Sequence, residues 1–188
     1  MTDKNRIFIE DYLAEIQHGI SALSTLEIDQ VVATLRQARF AGRFVFTMGN
    51  GGSASTASHF AHDLIKSAHR EGRPRFKAIA LSDSIPLITA VANDCSYELI
   101  FVEQLEALAN KGDILVAFSG SGNSPNILAA TDWAVENGLT VIGFTGMAAS
   151  SLQSRVHICL QVQNKIMGQI EGIHLILTQL IYKMLGDL

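Results

Sequence analysis

The stretch FVFTMGNGGSASTASHF, residues 44–60, joins an apolar run to a glycine-serine turn and then to helix-forming residues. FVFTM reads as a strand buried on both faces, the habit of parallel sheets. Gly49, Gly51 and Gly52 crowd around Asn50, and Ser53 and Ser55 follow where a helix opens. A helix N-terminus presents unpaired N–H groups and a partial positive charge. Glycine lets the backbone come close to a ligand, and serine adds hydroxyl donors. That junction suits an anion, above all a phosphate. It lacks the lysine of GxxxxGK[ST] and the spacing of GxGxxG, so it is neither of those nucleotide loops. Taken alone, glycine and serine at such a turn also fit plain turn chemistry.

Four more apolar runs lie outward from this one: KAIAL (77–81), DILVAFS (113–119), TVIGFT (140–145) and HICLQV (157–162). Helical spacing is predicted over 5–22, 27–40, 54–67, 84–92, 98–110, 124–137, about 148–154, and 167–185. Strand alternating with helix means βαβ units and a layered α/β fold. With 188 residues, 48% of them hydrophobic, and three prolines, the chain reads as one compact unit, 1–188. A net charge of −4 offers no footprint for nucleic acid or an anionic membrane. No apolar run reaches spanning length and the polar start MTDKNR is no signal peptide, so a cytoplasmic location is expected. Cys95 and Cys159 lie outside any CxxC, which fits a reducing compartment.

The glycine-serine signal occurs twice. DILVAFS runs into Ser119, Gly120, Ser121, Gly122, Asn123 and Ser124, with Ser124 at an N-cap and Pro125 at the first helical position. In a doubly wound sheet, ligands bind beyond the carboxyl ends of the strands, at the switch point. A third strand, TVIGFT, also ends in glycine, Gly146. Three loops of small residues then ring one pocket.

GNGGSAS…SHFA, AVAND, FSGSGNSPNI and QIEGIHL together resemble the sugar isomerase (SIS) domain, in its phosphoheptose isomerase branch. The resemblance spans essentially the whole chain. It implies a three-layer doubly wound sandwich with a five-stranded parallel sheet in flavodoxin-like order. Residues 1–42 would then be N-terminal helices for oligomer packing, and 43–188 the α/β core. The implied activity is isomerisation of sedoheptulose 7-phosphate to D-glycero-D-manno-heptose 7-phosphate, in heptose biosynthesis. The implied assembly is a homotetramer with active sites at subunit contacts. The implied phosphate holders are Ser119, Gly120, Ser121 and Ser124, with Asn50, Gly51, Gly52 and Ser53 along the sugar and Asn93 and Asp94 at the pocket. The same family has a member that associates with a bacterial replication initiator, so a catalytically altered binding protein is the alternative.

An aldose–ketose isomerase moves a proton between adjacent carbons through an enediol, so it needs a base, an acid and something to polarise the carbonyl. A metal can do the polarising. The helix after the first loop offers His59, His62, Asp63 and Lys66, with His59 and Asp63 on one face. The last helix offers Glu171, His174 and Gln179. The resemblance places His59 and Asp63 at a metal ligand and at a ligand that is also the catalytic base, where relatives carry Glu. It places Glu171 at a ligand Gln and Gln179 at a catalytic His. The candidate catalytic set is Asp63, Glu171, Gln179 and His174. Glu171 is also a substrate-binding candidate, and the candidate site for zinc is His59, Asp63, Glu171 and Gln179. The opposing readings are a solvated helix face for His59 and Asp63, a core position for His174, and ion pairs of Asp63 and Glu171 with Lys66 or an arginine. Arg70, Arg73, Arg75 and Lys77 read as a solvated loop or as a patch that draws in an anionic substrate. His18 and His69 read as surface residues and His157 as a strand-edge residue.

Overall fold

The computed structural model describes residues 2–146 and 149–187. Two helices come first, α1 (Asp3–Ser21) and α2 (Thr25–Phe40). Thr2 and Ser24 cap them, each side-chain oxygen accepting a backbone N–H three residues on, at 3.3 and 3.2 Å. Then follow β1 (Phe44–Gly49), α3 (Gly52–Ile65), β2 (Lys77–Ala80), α4 (Ile85–Asp94), a 3₁₀ turn (Tyr97–Leu99) and α5 (Val102–Leu108). β3 (Ile114–Phe118), α6 (Pro125–Glu136), β4 (Thr140–Thr145), β5 (Ile158–Gln161) and α7 (Met167–Asp187) complete the chain.

The five strands are all parallel, in the order β2-β1-β3-β4-β5. This is the flavodoxin-like order, and its switch point lies between β1 and β3. Both faces of the sheet are covered, which is why the strands are continuous apolar runs. Alternate residues fill opposite layers. Val45 of β1 with Ile114, Val116 and Phe118 of β3 pack under α2, α3 and α7. Phe46 and Met48 with Leu115 and Ala117 pack under α4, α5 and α6.

Two helix expectations need correction. The span 98–110 is a 3₁₀ turn followed by the short α5, and the two are joined through Ile100 and Phe101, both buried. Residue 148 lies outside the described residues, and 149–154 form turns rather than a helix. There Leu152 N–H bonds back to Gly122 O, and Asn123 reaches Ala149 O and Ser151 N–H. Those bonds commit the segment to the second glycine-serine loop.

α1 leans on α7 but leaves Ile7, Phe8, Ile9 and Leu13 exposed. Among the described residues, no helix is long and apolar enough to cross a membrane.

Candidate active site

β1 and β3 end side by side, and each releases its chain into a helix. Gly51, at the N-cap of α3, has φ +55°, a backbone state that glycine adopts without a steric penalty. Gly52 opens α3 beneath Glu171 of α7, and a Cβ there would stand 2.4 Å from Glu171 Oε2. The carboxylate therefore needs glycine below it, and it lies at the positive end of α3, where a negative charge is favoured.

On the other strand, Ser119 Oγ accepts the Gly122 N–H at 3.1 Å and Ser121 Oγ accepts the Asn123 N–H at 3.3 Å. Ser124 caps α6 by position, yet its side chain makes no cap bond, so its hydroxyl remains available. Asn50, Gly51, Ser53, Ser119, Gly120, Ser121, Ser124 and Glu171, with Phe118 and Met167, line one cleft of about 250 Å³. Glu171 is the one ionisable side chain among them. The structure thus brings together the two loops and Glu171.

A second polar group lies further along the same two helices. His59 Nε2 and Asp63 Oδ2 are 3.2 Å apart, and the Gln179 amide nitrogen lies 3.2 Å from the first and donates to the second at 3.0 Å. Asp63 is only 4% exposed, and its Oδ1 accepts the Ser67 hydroxyl at 2.9 Å. His62 Nδ1 stands 3.7 Å from the same Oδ1. Ligand atoms about 2.0–2.1 Å from one tetrahedral ion stand roughly 3.3 Å from each other, so this spacing fits a metal. The Gln179 amide, turned over, presents oxygen instead of nitrogen. His59, His62 and Asp63 form the one cluster of three or more His, Cys, Asp or Glu ligands among the described residues.

Glu171 is not part of that cluster. It lies eight residues before Gln179 on α7, with its carboxylate against Gly52 at the start of α3.

Three other groups of residues lie away from the cleft. His174 does not reach the cleft. It is 1% exposed, packed against Phe118 and Phe144, and its Nε2–H donates to Thr145 O at 3.2 Å. Asn93 and Asp94 do not line the cleft either. They end α4 in solvent, with Asn93 Nδ2 donating to Asp94 Oδ1. Tyr97, three residues after Asp94, makes the contact instead, its hydroxyl donating to Asn50 Oδ1 at 3.1 Å. The basic residues at 70–77 follow the C-terminal end of α3, remote from the strand ends that form the cleft. Arg70 pairs with Asp187 there, and Lys77 lies over Phe44. Of the remaining histidines, His18 and His157 are exposed, and His157 accepts the Val141 N–H; His69 is half-buried, its Nδ1 covered. The sequence reading missed Tyr97, Ser67 and the buried Asn126, of which only Asn126, a polar residue in an apolar helix start, carried a signal.

Burial lowers the His174 pKa from 6.5 to about 4. The unfolded chain takes up this proton as pH falls below about 6.5, and the folded chain does not until about 4. The stability that His174 contributes is thus present above pH 6.5 and is lost on acidification through that window, by roughly 3 kcal/mol. Denaturant unfolding from pH 7 to 4 should show this slope, and His174→Gln should reduce it by about one proton.

A family model described as the SIS domain matches residues 10–146. A phosphoheptose isomerase of Burkholderia pseudomallei is 35% identical over 188 residues, covering 96% of this chain and 94% of the relative. The structure of a phosphoheptose isomerase from Francisella tularensis superposes with a TM-score of 0.89 at 30% identity, over 100% of both chains. One from Neisseria gonorrhoeae gives 0.89 at 25% identity, again over 100% of both. A strand order with its switch point at two glycine-serine loops, matched over nearly its whole length by these relatives, means that the chain belongs to the SIS domain family, in its phosphoheptose isomerase branch.

Proposed function

We propose that the chain isomerises sedoheptulose 7-phosphate to D-glycero-D-manno-heptose 7-phosphate in the cytoplasm. The observation that carries this is the cleft between the two glycine-serine loops, with hydroxyls and a helix N-terminus on one side and a single carboxylate, Glu171, on the other. The phosphate would be held by the free hydroxyl of Ser124, the O–H groups of Ser119 and Ser121, and the positive end of α6. Gly51, Gly52 and Ser53 would lie along the sugar. Glu171 would take the carbon proton and return it to the neighbouring carbon.

His59, Asp63 and Gln179 would hold a divalent cation, zinc by the chemistry of the donors, and His62 stands beside them. Such an ion supplies polarisation of a carbonyl. Asp63 itself is a poor candidate for a free base, because Ser67, Gln179 and His59 already engage both of its oxygens. The exposed apolar residues of α1, with Leu175, Ile176 and Leu180 of α7, support a homotetramer.

The test is an isomerase assay on sedoheptulose 7-phosphate with and without added zinc, run on the fraction that light scattering places at four chains. Turnover at that mass is the expected result. Binding of the sugar phosphate without turnover would make the chain a phosphosugar-binding protein, and a stable monomer would remove the assembly.

A further inference from the structure

Asn126 is 1% exposed, at the second position of α6, beside the fully buried Ile127. Its Oδ1 accepts the Ile127 backbone N–H at 3.1 Å and an Asn50 Nδ2–H at 2.9 Å. Its own Nδ2 donates to Asn50 Oδ1, also at 2.9 Å. A backbone donor can face only oxygen, so the Ile127 N–H fixes which end of the Asn126 amide is which. Reciprocity then fixes Asn50. The Tyr97 hydroxyl donates to the same Asn50 Oδ1 at 3.1 Å. A carbonyl oxygen accepts about two hydrogen bonds, so this one is filled. Asn50 has one N–H left to offer the cleft and no acceptor.

The geometry points to Asn126 as a positioning residue that acts through Asn50, with Tyr97 as the second half of the lock. Asn50 begins the loop along the sugar, and Asn126 stands in the first turn of the helix that faces the phosphate. The reciprocal amide pair therefore sets the spacing between the two loops, across the switch point. This rests on the sugar phosphate reading above. A sugar phosphate spans both loops, so that spacing decides whether the reacting carbons sit correctly once the phosphate is bound. Misplacement of about 1 Å is enough to cost up to a hundredfold in rate. Inorganic phosphate engages the second loop alone and is indifferent to the lock.

Tyr97→Phe, Asn126→Ala and the double variant test this. Tyr97 is 56% exposed, so its loss of one hydroxyl leaves the fold intact. Tyr97→Phe should lower kcat/KM for sedoheptulose 7-phosphate roughly 2- to 10-fold, and Asn126→Ala by more. The double variant should be no worse than Asn126→Ala, since both act through one oxygen. Thermal stabilisation by inorganic phosphate should be the same in all four proteins. Additive losses, or equal weakening toward inorganic phosphate, overturn the proposal. A readout independent of turnover is hydrogen exchange of the Asn126 side-chain amide by NMR. It should be slow in the wild type and faster in Tyr97→Phe. Exchange at the rate of an exposed asparagine overturns the lock. Slow exchange in a protein without isomerase activity keeps the lock and removes the substrate reading.

Discussion

Glu171→Gln lowers kcat for sedoheptulose 7-phosphate by about a hundred- to ten-thousandfold and leaves the affinity for the sugar phosphate nearly unchanged. Enediol formation needs a group that takes a proton from carbon, and among the described residues Glu171 is the one ionisable side chain lining the cleft. The amide keeps the shape of the carboxylate, which matters because the head of this residue lies against Gly52. The variant therefore removes the proposed base without opening a cavity. Deuterium wash-in from solvent to the product should fall in step with kcat. Glu171→Asp, which keeps the base but draws it back by one methylene, should lie between the two. If Glu171 instead served a cation, the change would appear in zinc affinity, with wash-in restored at high zinc. Normal wash-in in Glu171→Gln would return the role to Asp63, despite its committed oxygens.

The strands were legible because burial on both faces leaves a continuous apolar run, and such runs end where the glycines begin. The two loops were legible for the same reason. Side-chain contacts were not: a helical wheel puts Glu171 and Gln179 on one face, but it does not say that the first meets Gly52 and the second meets His59 and Asp63. His174 shares the ambiguity from the other side. On the wheel it neighbours Glu171, yet the packing of Phe118 and Phe144 draws it into the core. The segment 93–94 was the right region with the wrong residues, since α4 ends there and the following 3₁₀ turn aims Tyr97, not Asp94, at Asn50. Asn126 shows the limit most clearly. Its partner is 76 residues away, and no local pattern reports a reciprocal amide pair. For α1 the exposed apolar residues were a readable excess, but what covers them is not written in one chain.

Ser121→Ala combined with Ser124→Ala weakens binding of sedoheptulose 7-phosphate and of inorganic phosphate alike, by about a hundred- to ten-thousandfold. Hydrogen bonds to a charged group contribute roughly 1.5–3 kcal/mol each, and the pair removes two. Among the described residues, no arginine or lysine lines the cleft to share the load. What remains for the dianion is the Ser119 hydroxyl and the end of α6, where Pro125 has already removed one N–H. Loss of an N-cap serine normally costs about 1 kcal/mol of stability. Here the Ser124 side chain makes no cap bond, in contrast to Thr2 and Ser24, so the melting temperature should hardly move. Ser119 is left in place because its Oγ accepts the Gly122 N–H and holds the turn. Calorimetric titration with both ligands, beside a melting curve, separates the outcomes. Weak binding at an unchanged melting temperature assigns the loop to phosphate. Affinity within threefold of the wild type would move the anion to the other loop, at the N-terminus of α3. There Glu171 would oppose it, and the base would then have to act from beside the phosphate rather than from across the sugar.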